Sequence, residues 1–204
     1  MKHNKLNRNE VNSDWTLFLD RDGVINKKID HDYVRSINRF EFLDGVLQSI
    51  AELSKVFGRV FVVTNQRGIG RGLFTIEDLK AIHKNMINEV EASGGKIDHV
   101  FFCPHLADDP ICDCRKPKPG MAHQALKLYP EIQFDKAVMI GDSMSDIQFG
   151  NALGMHTVHI TKADESQASE ITSSLFKWTS NFFAASRVEE RYGIVKTLVR
   201  NFVF

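Results

Sequence analysis

The sequence predicts an α/β fold with a mainly parallel sheet and helices on both faces. Short apolar runs recur along the chain, separated by longer segments whose apolar residues fall at helical spacing. The apolar runs are near-continuous rather than alternating, as expected for strands covered on both faces. Several end on polar or acidic residues, which fits a ligand site at the carboxyl edge of such a sheet.

Thr16 to Leu19 reads as the first buried strand, ending at Asp20. Val46 to Val56 follows with apolar residues at helical positions. Arg59 to Val63 is the second strand, ending at Thr64. Thr75 is a good helix N-cap, with Asp78 three residues on. That helix is expected to reach about Ala92 and stop at Gly94-Gly95. Val100 to Phe102 is the third strand, followed by a helix from Met121 to Tyr129 that Pro130 ends. Ala137 to Ile140 is the fourth strand, running into Gly141-Asp142. A short helix over Asp146 to Leu153 ends at Gly154, and Thr157 to Ile160 is the fifth strand.

The 204 residues suit one domain with a core large enough to need no disulfides. We divide them into a polar N-terminal extension, 1–14, a domain over 15–165, and a C-terminal tail, 166–204. Lys plus Arg equals Asp plus Glu at 26 each, so net charge offers no reason to propose a nucleic-acid partner. No apolar run approaches the roughly 20 residues of a membrane span, and no signal peptide is evident. The cytoplasm is the expected compartment. In the tail, Val188, Tyr192, Val195, Val199 and Phe202 fall at helical spacing, flanked by Arg187, Arg191, Lys196 and Arg200. Such a helix can meet a membrane surface or a partner. The reading taken is a terminal helix packed on the domain.

The most informative segment is Asp20-Arg21-Asp22-Gly23, directly after the first strand. Two carboxylates two apart on extended backbone share one side. Gly23 allows the backbone to turn and approach a phosphate. Alone, this could be a solvated turn. But Thr64-Asn65-Gln66 and Gly141-Asp142 also end strands, and Arg115-Lys116-Pro117 lies between them. Four polar clusters at one sheet edge describe a site.

In these motifs the chain resembles the haloacid-dehalogenase superfamily of phosphohydrolases, over about Thr16 to Ile160. The Asp-x-Asp motif falls at Asp20 and Asp22, the threonine motif at Thr64, the lysine motif at Lys116 and the acidic motif at Asp142 and Asp146. The resemblance implies a Rossmann-like fold without a large cap domain. It also implies catalysis by Asp20 as nucleophile and Asp22 as general acid and base, with Thr64 and Lys116 binding the phosphoryl oxygens. Mg²⁺ is expected on Asp20, Asp142 and the backbone carbonyl of Asp22. Gly23, Asn65, Gln66, Arg67 and Arg115 are expected to bind substrate. Asp146 is expected to orient Lys116 or a loop backbone, with a plain helix cap as its second reading. Relatives often carry a basic residue where this chain has Ser143, which fits either a weaker grip on a distal substrate group or compensation by Lys118.

Cys103-Pro104-His105 and Cys112-Asp113-Cys114 hold all three cysteines of the chain. Four such ligands suit tetrahedral Zn²⁺ with no open position, so the site over 103–114 is expected to be structural. It ends directly on Arg115 and Lys116. His83, His123 and His156 are expected on helices or packed surfaces. The zinc loop is similar to the branch holding heptose 1,7-bisphosphate phosphatases and histidinol-phosphate phosphatases. The segments Asp30 to Val34, Phe40 to Val46 and Thr64 to Gly72 lean toward the heptose enzymes. The short zinc loop and Cys103-Pro104-His105-Leu106 lean toward histidinol phosphate. The heptose substrate is the preferred expectation. A small phosphorylated metabolite is the expected partner of a monomer. An inactive, zinc-stabilised interaction module on the same fold is the alternative of a different class.

Overall fold

The computed structural model describes residues 10–160 and the strand pair Phe202–Val203. Five parallel strands form the sheet: β1 (Thr16–Leu19), β2 (Arg59–Asn65), β3 (His99–Cys103), β4 (Ala137–Gly141) and β5 (His156–Ile160). Their order is β3-β2-β1-β4-β5, and β6 (Phe202–Val203) pairs antiparallel at the β5 edge. The chain therefore winds outward from β1 in both directions. β1 sits at the centre, where a doubly wound sheet opens its ligand crevice.

Strand periodicity divides the core into two layers. Leu17, Leu19, Val60 and Val62 face one side, with Val46 and Ile50 of α1 (Val46–Ser54) and Met86 and Val90 of α3 (Ile76–Ala92). Phe18, Phe61, Val63 and Met139 face the other. There they meet Met121 and Ala125 of α4 (Gly120–Leu128) and Phe149 of α5 (Met144–Ala152). Both faces are covered, which is why the strands read as unbroken apolar runs. Among the described residues no cap domain stands over the sheet; segment 20–45 and the loop over 103–114 border its carboxyl edge.

Several boundaries differ from the expectation. β2 continues to Asn65 because Thr64 and Asn65 stay paired with Phe102 and Cys103. The glycine-rich stretch after it holds a one-turn helix, α2 (Arg67–Gly70), tied to the cysteine loop by Gly70 N–H donating to Pro104 O at 2.9 Å. α5 opens at Met144, not Asp146. Its N-cap is Ser143, whose hydroxyl and backbone N–H both donate to Asp146 Oδ2, at 2.6 and 3.0 Å. The Thr75–Asp78 capping box forms as expected. The N-terminal residues 1–9 and most of the proposed tail helix lie outside the described residues. Phe202, included in that helical stripe, is instead in β6.

Candidate active site

Asp20 leaves the end of β1 with its N–H bonded to Ile140 O of the neighbouring strand at 2.9 Å. Its carboxylate is nearly buried, and Oδ1 accepts from Lys116 Nζ at 2.8 Å. Lys116 arrives from the loop before α4 and is 3% exposed. Its ammonium also donates to Val63 O at 2.6 Å and lies 2.6 Å from Asp146 Oδ1. Burial favours the neutral amine, but Asp20 and Asp146 outweigh it and raise the lysine pKa, so the side chain stays charged. Burial drives Asp20 the other way, up to about 7, against the pull of Lys116. Asp146 is fully buried: Oδ1 lies 2.6 Å from the Lys116 ammonium, and Oδ2 accepts from Ser143 at the start of α5.

Asp142 follows β4. Its Oδ1 is buried with no hydrogen-bond partner among the described residues, while Oδ2 accepts from Lys28 Nζ at 2.8 Å. Carboxylate oxygens of Asp20, Asp142 and Asp146 lie within 4.8 Å of one another. An unpartnered buried carboxylate oxygen beside two further carboxylates fits a hard divalent cation. Gly23 makes this arrangement possible in a way not anticipated. It takes φ +90°, and a Cβ there would lie 2.3 Å from Asp142 Oδ2. Besides the approach to phosphate expected of it, Gly23 thus has a second reason to lack a side chain, the Asp142 carboxylate packed against it.

Asp22 lines the cavity but is heavily engaged. Arg21 Nη2 donates to both its oxygens at 2.7 Å, Asn26 Nδ2 to Oδ1 and Gln66 Nε2 to Oδ2, each at 3.0 Å. Burial opposes ionisation, but Arg21, Asn26 and Gln66 together hold the carboxyl below its ordinary pKa. Gln66, expected to bind substrate, is 1% exposed and also donates to Thr64 Oγ1 at 2.8 Å. Its amide links Asp22 to Thr64 and does not line the cavity. Asn65 brackets the Lys116 backbone, accepting from its N–H at 3.0 Å and donating to its C=O at 3.1 Å. That pairing fixes the lysine loop to the end of β2.

These groups surround one cavity of about 410 Å³. Asp20, Asp22, Thr64, Asn65, Lys116, Asp142 and Asp146 form its inner part; Arg67, Arg71, Arg115, Lys28, His31 and Tyr33 are also in its wall. Arg67 Nε donates to Tyr33 OH at 3.2 Å, joining segment 20–45 to α2. Arg115 Nη1 is buried without a partner among the described residues. Lys118 does not compensate for Ser143: its ammonium donates to Cys112 O at 2.5 Å, away from the cavity. The cation that meets Asp142 is Lys28, and nothing in the sequence around it signals that position.

The four cysteine-loop side chains expected to hold zinc converge. Sγ of Cys112 lies 3.5 Å from Cys103 Sγ, 3.6 Å from Cys114 Sγ and 3.2 Å from His105 Nδ1. His105 Nδ1 is also 3.3 Å from Cys114 Sγ and 3.6 Å from Cys103 Sγ. Bond lengths of about 2.3 Å to sulfur and about 2.0 Å to nitrogen give tetrahedron edges of this size. Cys103 ends β3 level with Asn65, and Gln66 N–H donates to Cys103 O at 2.7 Å. The cysteine loop is thus clamped to the strand that carries Thr64.

A doubly wound sheet that gathers its acidic groups and a buried lysine at the end of its central strand defines a haloacid-dehalogenase-type phosphohydrolase. Sequence similarity agrees: a family model described as HAD-hydrolase-like matches residues 113–180. The chain belongs to the haloacid-dehalogenase-like hydrolases, among their phosphatases. It is 38% identical over 137 residues to the D-glycero-alpha-D-manno-heptose-1,7-bisphosphate 7-phosphatase of Mycobacterium bovis, covering 67% of this chain and 72% of that protein. It is 39% identical over 144 residues to the D-glycero-beta-D-manno-heptose-1,7-bisphosphate 7-phosphatase of Rhodopseudomonas palustris, covering 68% and 78%. The D,D-heptose 1,7-bisphosphate phosphatase from B. bronchiseptica, crystallised with magnesium and phosphate, superposes with a TM-score of 0.65 at 38% identity. That match covers 70% of this chain and 78% of the other.

Proposed function

We propose that this phosphatase hydrolyses the 7-phosphate of a heptose 1,7-bisphosphate through an aspartyl-phosphate on Asp20, with Mg²⁺ as cofactor. The observation that carries the chemistry is the arrangement of Asp20 against Lys116 and Asp146, beside the partnerless oxygen of Asp142. The named relatives support the substrate. Their names divide between the alpha and beta anomers at the same level of identity, so both anomers belong in the test.

In the proposed reaction the anionic phosphate, on entering the site, favours the protonated form of Asp22 over the ionised form that Arg21, Asn26 and Gln66 hold in its absence. An Asp20 oxygen then attacks phosphorus, the P–O ester bond breaks, and the leaving alkoxide takes that proton from Asp22. Water then attacks the acyl phosphate, Asp22 removes its proton, and phosphate leaves with Asp20 restored. Thr64 and Lys116 stabilise the phosphoryl oxygens, where charge develops. Asp20, Asp142 and the Asp22 backbone carbonyl would hold the cation, with Asp146 adjacent. A divalent ion there offsets the repulsion between an anionic ester and an anionic nucleophile and favours ionised Asp20. Asn65 positions Lys116. Arg67 and the unpartnered Arg115 are suited to the far end of the substrate, where a second phosphate needs a cation.

Zn²⁺ on Cys103, His105, Cys112 and Cys114 is proposed as structural, fixing the loop that delivers Arg115 and Lys116. Residues 15–165 form the catalytic domain in this reading, following the 1–14 extension. Cysteines kept for a metal rather than disulfides suit the cytoplasm. All the proposed catalytic groups lie in one chain, which suits a monomer. Among the described residues no helix is long and apolar enough to cross a membrane.

The test is magnesium-dependent phosphate release from both heptose 1,7-bisphosphate anomers, histidinol phosphate and a simple aryl phosphate. The heptose esters should exceed the aryl ester in kcat/KM by at least about 100-fold. Equal rates on all four would defeat the substrate assignment. Asp20→Asn should remove turnover on every ester while the far-ultraviolet spectrum is unchanged, and retained turnover would defeat the nucleophile.

A further inference from the structure

Arg21 stands between the two motif aspartates, yet it does not face the cavity. It is 1% exposed, among the largest fully buried side chains of the described residues. Its guanidinium connects two elements. Nη2 donates to both carboxylate oxygens of Asp22 at 2.7 Å, and Nη1 lies 3.3 Å from Nε2 of His83. His83 comes from the buried face of α3, beside Leu79, Ile82 and Met86. It is 6% exposed, and Phe102 of β3 meets its ring edge-on, with centroids 6.2 Å apart.

The chemistry of the contact is fixed by its donor. Arginine has no acceptor, so Nε2 of His83 must be bare and accept the bond, leaving the ring neutral. Its surroundings agree: burial, then the charge of Arg21, drive its pKa down to about 3. A buried ion pair of this kind contributes little net stability over apolar packing. Arg21 Nε has no hydrogen-bond partner among the described residues, which further weakens a purely structural account. What the contacts do supply is direction. Asn26 and Gln66 are neutral amides holding one oxygen of Asp22 each; Arg21 is the cation holding both, and His83 fixes the guanidinium from behind.

We propose that Arg21 and His83 are positioning residues for the general acid and base: α3, through His83 and Arg21, sets the aim of the Asp22 carboxylate at the leaving oxygen and the attacking water. This rests on the role proposed above for Asp22. A misplacement of about 1 Å in a proton-transfer group can cost a large part of its effect on rate.

The test is a double-mutant cycle joining His83→Leu to Asp22→Asn, with His83→Gln as the conservative variant. It is measured on whichever ester the wild-type enzyme turns over fastest, so the cycle does not depend on the sugar. His83→Leu should lower kcat about 10- to 100-fold with KM within about twofold. His83→Gln offers an amide oxygen to Arg21 and should recover most of that loss. In the Asp22→Asn background, His83→Leu should have no further effect. A crystal structure of the His83→Leu enzyme should show the Asp22 carboxylate displaced from its Arg21 contact. Undisturbed kcat in a folded His83→Leu enzyme, full additivity with Asp22→Asn, or an unmoved Asp22 would each overturn the proposal. A wild-type enzyme inactive on every ester defeats the proposed function instead, and the crystal structure then judges the positioning on its own.

Discussion

The ammonium of Lys116 meets Oδ1 of Asp20 at 2.8 Å across 96 residues of sequence, inside a site where both side chains are nearly dry. The contact holds Asp20 at the end of β1 and sets a buried positive charge against its carboxylate. Asp146, on the far side of the same ammonium, balances it.

Lys116→Met should therefore damage both stability and rate. It leaves two buried carboxylates facing each other without a cation, which costs about 3–5 kcal/mol when a buried pair is broken. The rate should fall about 100- to 1,000-fold, the scale for losing one stabiliser of transition-state charge. Urea unfolding and steady-state kinetics measure the two effects separately. A variant of unchanged stability would mean that the ion pair is not formed in solution.

Gly23→Ala tests the packing between the first motif and Asp142. The new methyl would lie 2.3 Å from Asp142 Oδ2, on a backbone at φ +90° that L-residues rarely adopt. The carboxylate must move, so the half-saturating Mg²⁺ concentration should rise about tenfold or more. Titration of bound Mn²⁺ by electron paramagnetic resonance reads the same change without turnover. Unaltered metal affinity would separate Gly23 from the cation site.

The cysteine loop should carry about one zinc per chain by atomic absorption. Cys114→Ser should reduce that content, lower the melting temperature and reduce activity through the Arg115–Lys116 segment. Full activity in a zinc-free, folded protein would dissociate the loop from the site.

His83 predicts a pH dependence of stability. Its pKa is about 3 in the folded protein against 6.5 for the free side chain. The neutral ring is compatible with the fold, so this contribution is intact above about pH 6.5. As pH falls from there toward 3, the unfolded chain takes up a proton that the folded chain refuses, and stability declines by up to about 1.4 kcal/mol per pH unit. Between pH 6.5 and 5 His83→Gln should lose this decline, so its stability at pH 5 relative to pH 6.5 should exceed the wild type's; Asp20, whose carboxyl takes up its proton near 7 in the fold, contributes equally to both proteins. An identical slope in the variant would show that His83 is open to protonation in the fold.

Much of the fold was legible from local pattern. The five parallel strands, the Thr75–Asp78 cap and the polar strand ends all depend on residues close in sequence, and periodicity reports them directly. The motif positions Asp20, Thr64, Lys116 and Asp142 were visible for the same reason, as each follows a strand or a distinctive loop. Gln66 and Gly23 were expected to meet substrate, and their contacts with Asp22, Thr64 and Asp142 were not anticipated. Sequence shows that a polar side chain or a glycine is present, and says nothing about what lies across from it. Arg21, Lys28 and His83 gave no usable signal, because a charged residue in a loop and a histidine on a helix have many ordinary roles.

The positions of Asp20 and its companion motifs were thus read from the sequence alone, together with the sheet that carries them and the cluster of Cys103, His105, Cys112 and Cys114. The tertiary structure decided the pairings. It turned Arg21 inward onto His83 and Asp22, set Lys28 rather than Lys118 beside Asp142, and fitted Gly23 against that aspartate. The physical reason is range. Strand and helix periodicity are written within a few residues, whereas a buried charge finds its partner only when folding excludes water and leaves few groups able to satisfy it.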